Sequence, residues 1–133
     1  MENELVNIEG AHFNKEELFE KVDSDAEIIE LLFESVKGQV PGYLSTIGNI
    51  VSTITSESQL TPEQAEDLRF AAHSIKGSAY NLCFERFGNI AKRVEMTARA
   101  WDAPGPEKGS EMLPHLYKLI MEEWEVVLSI MKN

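Results

Sequence analysis

Residues 61–82 read TPEQAEDLRFAAHSIKGSAYNL. Thr61-Pro62-Glu63-Gln64 joins an N-cap threonine, a proline at the first helical position and a glutamine at capping-box spacing. Leu68, Ala72, Ile75, Ala79 and Leu82 then recur at intervals of three and four, which makes one face of a helix apolar. So regular a stripe on a helix otherwise rich in charge predicts packing against other helices.

The flanking sequence supplies them. A short helix is expected over Asn14–Val22, with Phe13, Leu18, Phe19 and Val22 as its apolar face. Ser24 and Glu27 have capping-box spacing and open a long helix, in which Ile28, Leu31, Leu32, Ser35 and Val36 lead towards Ile54. Gly38, Pro41 and Gly42 predict a kink or local break near Val40. Thr55–Leu60 reads as a loop. Beyond the quoted stretch, a turn near Cys83–Glu85 leads to a helix whose Phe87, Ile90, Ala91, Val94, Ala98 and Trp101 face inward. Asp102–Gly109 carries two prolines and two glycines and reads as a loop. A last helix runs from about Glu111 or Pro114 to Met131. No period-2 alternation, hairpin dipeptide or internal repeat competes with this reading. The expectation is an all-α antiparallel four-helix bundle with a short additional N-terminal helix. It forms one domain over 1–133, with 1–12 as an N-terminal extension and the bundle over about 13–132.

Composition narrows the function classes. The chain has 133 residues, of which 43% are hydrophobic, enough for a folded core. Its formal charge of −11 disfavours nucleic acid or an anionic membrane as main partner. Cys83 is the only cysteine, the first ten residues are acidic, and no apolar run is long enough to span a bilayer. A cytoplasmic location is expected. The charge is uneven: Arg69, Lys76, Arg86, Lys92, Arg93 and Arg99 face only Glu85 and Glu95 within residues 69–99.

Chemistry concentrates around His73. At about 100° per residue it points roughly 140° from the centre of the apolar stripe, and Arg69, Lys76, Gly77 and Tyr80 fall on its side. Gly77 is unusual inside a helix, where glycine costs roughly 1 kcal/mol relative to alanine. At i+4 from His73 it would clear the space below the imidazole for a phosphoryl group or a partner's active site. Lys76 at i+3 can reach an anion on the ring, and Ser78 is a nearby possible donor. Neutral imidazole is a good nucleophile once its tautomer is set. His73 lies ten residues before Cys83 and Glu95 ten after Glu85, so the two should stand level across the hairpin. The Glu95 carboxylate would accept from the inner ring N–H and leave the outer nitrogen free to attack.

The run His73-Ser74-Ile75-Lys76-Gly77-Ser78, preceded by Ala71-Ala72, resembles the signature of histidine phosphotransfer domains of two-component phosphorelays. Ala71–Lys76 is also similar to the phosphotransfer domain of chemotaxis histidine kinases. The similarity extends upstream through Phe13, Leu18, Val22, Asp25, Glu27, Ile28 and Leu31, and downstream through Asn81-Leu82, Glu85-Arg86-Phe87 and Val94-Glu95. The resemblance implies that His73 is phosphorylated by a receiver-domain aspartate and passes the group to another receiver. Lys76 would then stabilise charge, Gly77 provide clearance, and Glu95 orient the imidazole. The Mg²⁺ of the transfer would reside in the receiver, and no cofactor would belong to this chain. By the helical wheel Phe70 and Phe84 flank the His73 side, and Arg69, Phe70, Ser78, Tyr80, Phe84 and Arg99 are the expected partner contacts; a monomer is expected, because that surface must stay open. Cys83, where the family often has glycine, and Tyr80, where a small residue is usual, depart from the pattern.

No Gly-rich phosphate loop or metal-ligand cluster suggests an enzyme. His12 and His115 read as ordinary surface histidines, Trp101 and Trp124 as packing residues, and the methionines as core filler. Phe70 is either partly exposed for docking or packed against the first helix. Two rival functions are a non-phosphorylated scaffold and the substrate domain of a chemotaxis-like kinase.

Overall fold

The computed structural model describes residues 7–54, 60–101 and 112–132. It contains α1 (Lys15–Lys21), α2 (Ala26–Val51), α3 (Pro62–Asn81), α4 (Glu85–Arg99) and α5 (Leu113–Lys132). The four longer helices close a ring: α3 packs most extensively on α4, α2 lies against α3, and α5 touches both α4 and α2. The small α1 covers the bundle end where the α3–α4 turn, the start of α2 and the end of α5 meet. The expected four-helix architecture is what the chain adopts. The proposed loops at 55–59 and 102–109 lie outside the described residues.

Local chemistry fixes the helix starts. Asn14 caps α1 through a bond from the Glu17 N–H. At α3 both capping-box bonds form at 3.0 Å, Thr61 Oγ1 accepting from Gln64 N and Gln64 Oε1 from Thr61 N. The start of α2 differs from expectation. Asp23 and Ser24 both take left-handed backbone conformations and turn the chain. Ser24 is thereby placed outside the helix, and Asp25 becomes the cap, accepting from Glu27 and Ile28.

Of the kink or local break expected near Val40, the break does not occur. The helix is unbroken across Pro41, although proline removes one backbone donor. Val36, Val40, Leu44, Ile47 and Val51 continue a single buried stripe through that point, and tertiary packing outweighs the local cost. The stripe begins on Ile29. Ile28 and Leu31 stand exposed, at 42% and 70%, because the inward phase is set by Ile29 and Val36.

The α3 stripe and the inward face of α4 are buried as read, with Trp101 half-buried. Leu82–Phe84 make the turn between the two helices. Cys83 has φ +62°, a conformation that favours glycine, and its N–H donates to Tyr80 O. Phe84 is fully buried, stacked on Phe13 at 5.0 Å, and so cannot contact a partner as expected. Tyr80 reaches across to α4. Its hydroxyl donates to Asn89 Oδ1 at 2.5 Å, and its ring occupies the space a Cβ at Gly88 would need.

The segment before α1 is strapped onto α4. Arg86 N–H donates to Ala11 O, Arg86 Nε to Ile8 O and Asn89 Nδ2 to Glu9 O, at 2.8–2.9 Å. Gly10, at φ +137°, lets the strap lie directly on the Arg86 backbone.

Gly88→Ala should destabilise the fold by roughly 1–3 kcal/mol through overpacking against Tyr80. The cost should shrink in a Tyr80→Ala background, and a double-mutant cycle by urea unfolding measures the coupling.

Candidate functional site

His73 sits midway along α3 with its side chain 56% exposed, on the face opposite Ala72 and Ile75. The antiparallel register that pairs Tyr80 with Gly88 and Asn89 near the turn pairs His73 with Glu95 two helical turns further up. The Glu95 side chain is only 3% exposed, yet three donors converge on it. His73 Nδ1 lies 3.0 Å from Oε2, Arg99 NH2 3.1 Å from Oε2, and Lys76 Nζ 2.7 Å from Oε1. Burial by itself would raise this carboxyl. Hydrogen bonds from Lys76, Arg99 and His73, with the Lys76 charge, outweigh it and hold the pKa down to about 2.

The carboxylate is an acceptor only, so Nδ1 carries the hydrogen that it bonds. A neutral imidazole in that tautomer presents an unprotonated Nε2, the atom a nucleophile needs. The two cations that fix Glu95 also leave one positive charge in excess beside the ring.

The other sequence candidates are distributed unevenly. Arg69 is half-buried and forms a bidentate pair with Glu66, Nε at 3.1 Å and NH2 at 2.7 Å. Phe70 is 56% exposed and rests edge-on against Tyr43 of α2, not against α1. Tyr80 is 37% exposed beside the strap. Ser78 is half-buried and, being five residues on, lies roughly 140° around α3 from His73. Gly77 is exposed, and a Cβ there would meet nothing within 4 Å. Gly77 therefore relieves no contact with the imidazole itself and leaves open space beside it. Among the described residues no group of side chains could hold a metal ion.

Three features escaped the sequence reading. Met96, next to Glu95, is 54% exposed and not core filler; its position off the α4 stripe carried that signal. Lys76 and Arg99 bind Glu95 directly. A second buried carboxylate, Glu123 of α5, holds His12 at 2.6 Å and Arg86 at 2.6 Å. Nothing in the sequence spacing ties residue 12 to residue 123.

The folded-state pKa of Glu95 lies below the ordinary 4.5. Its stabilisation is therefore full above that value and is lost as pH falls towards 2, an effect on the order of 3 kcal/mol. Glu95→Gln should flatten the stability profile across this window, as followed by urea unfolding between pH 5 and the acid limit of folding.

Comparison with known proteins found no matching curated protein and no matching solved structure. The family described as Hpt domain matches residues 16–125, more than four-fifths of the chain, and spans all but the last turns of the bundle. The match contains His73 and every group around Glu95, and the chain therefore belongs to the Hpt domain family, whose members carry phosphoryl groups in two-component relays.

Proposed function

We propose that this protein is a relay intermediate that accepts a phosphoryl group on His73 from a receiver-domain aspartate and delivers it to a second receiver. One observation carries the reading: the half-exposed imidazole bonded through Nδ1 to a buried, ionised Glu95. Nε2 attacks phosphorus in the acyl phosphate, an N–P bond forms, the O–P bond breaks, and the aspartate carboxylate leaves. The ring becomes a phosphorylated imidazolium that keeps its Nδ1–H. Glu95 offsets that positive charge while Lys76 and Arg99 offset the phosphoryl oxygens. Delivery is the same path reversed onto a new carboxylate, so the chain needs no kinase machinery of its own.

Phe70, Met96, Tyr80, Arg69 and Arg99 form the docking surface. It combines apolar contact with positive charge suited to an acidic receiver site. Lys92 and Arg93, exposed on α4, extend the positive field. Elsewhere the surface is strongly acidic, which favours a monomer that binds neither nucleic acid nor anionic lipid. Among the described residues no helix is long and apolar enough to cross a membrane.

Transfer from a phosphorylated receiver tests this directly. Wild type should take up acid-labile, alkali-stable label, and His73→Gln should take up none from the receiver. Glu95→Gln keeps an acceptor for Nδ1–H and should transfer faster than Glu95→Ala, which leaves the ring unheld. An unlabelled wild type with intact fold would overturn the proposal in favour of a scaffold. Label gained only from ATP and a kinase catalytic domain would favour a chemotaxis-type substrate.

A further inference from the structure

The strap that crosses α4 builds a second histidine site. His12 is 57% exposed, as open as His73, and its Nδ1 lies 2.6 Å from Oε2 of Glu123, whose side chain is 1% exposed. The other carboxylate oxygen, Oε1, accepts from Arg86 NH1 at 2.6 Å. The arrangement at His73 has the same plan: one oxygen of a buried glutamate takes the imidazole and the other takes a cation. In both places the buried acceptor holds the ring hydrogen on Nδ1 and leaves Nε2 as the basic, outward nitrogen. Arg86 is itself pinned, since its Nε donates to Ile8 O, so the carboxylate is fixed without help from solvent. The two sites are separate. Arg86 precedes Glu95 by nine residues, about 13 Å along α4.

We propose that His12 is a second phosphoacceptor, taking a phosphoryl group from small donors of the acyl phosphate or phosphoramidate class. Nε2 forms the N–P bond. The donor's bond to its carboxylate or ammonia leaving group breaks with its electron pair. The Nδ1 proton stays on the ring, and the resulting imidazolium is held by Glu123. Local surroundings choose the donor size. Glu9 lies in the strap and Glu85 bonds its Ala11 N–H, both exposed, and the Phe70–Met96–Arg99 surface that suits an acidic receiver is absent from it. A receiver would be repelled there, whereas a small donor needs no docking face. Fewer cations stand beside His12 than beside His73, so its reaction should be the slower of the two.

The test uses His73→Gln with phosphoramidate. That variant leaves the strap intact, and its readout is independent of receiver transfer. We expect acid-labile label on the peptide containing residue 12, attached at Nε2 by phosphorus–proton coupling. The label should be lost when His12→Gln is added and reduced when Glu123→Gln is added, with helical content unchanged. No label above the His73→Gln, His12→Gln double variant would overturn the proposal. Equal label on His12 with and without Glu123→Gln would overturn it too, since only general imidazole reactivity would remain.

Discussion

An ionised carboxylate removed from water is tolerated only where its lost solvation is replaced, and Glu95 shows the replacement in full. Its two oxygens are shared among an imidazole, an ammonium and a guanidinium, contributed by two different helices. Each donor also has a second consequence. The imidazole acquires a defined tautomer, the two cations acquire fixed positions, and α3 acquires a polar tie to α4 at mid-height. Remove the carboxylate and all three are lost together. The geometry of the exposed face is therefore set by a group that is itself almost invisible from outside.

That dependence places strict demands on the hairpin. A helix carries successive side chains about 100° apart, so a buried glutamate meets a given histidine only in one register. Tyr80 and Gly88 enforce the register nearer the turn, where a bulky ring on one helix fits a missing side chain on the other. The tyrosine that departs from the family pattern is accommodated by the glycine that faces it. Cys83 takes the left-handed turn position itself and buries its thiol in exchange.

How much of this the sequence disclosed follows from the range of the interactions. The α3 stripe, the Thr61 capping box and the exposed His73 depend on residues within one or two turns, and local spacing reports them. Glu95 was reached because a short antiparallel turn makes the pairing across it countable. Within α2, Ile28, Ile29, Leu31 and Leu32 offer two overlapping stripes, and only the facing helices choose between them. Proline at 41 signals a kink or a local break, and burial of Val40 and Leu44 carries the helix through without the break. Phe84 lies past the end of α3, where the turn and not the helical spacing directs the ring, and it swings into the core against Phe13. The His12–Glu123 contact spans 111 positions and left no local trace.

The three residues between α3 and α4 also have a chemical meaning that their place in a loop conceals. Inserting one residue there would rotate every α4 side chain by about 100° relative to α3 and shift it about 1.5 Å along the axis. Glu95 would turn away from the imidazole and Val94 would take its place. In most helical proteins a surface turn is where length varies most freely. Here turn length decides whether Glu95 meets His73 at all, as firmly as the identity of either residue.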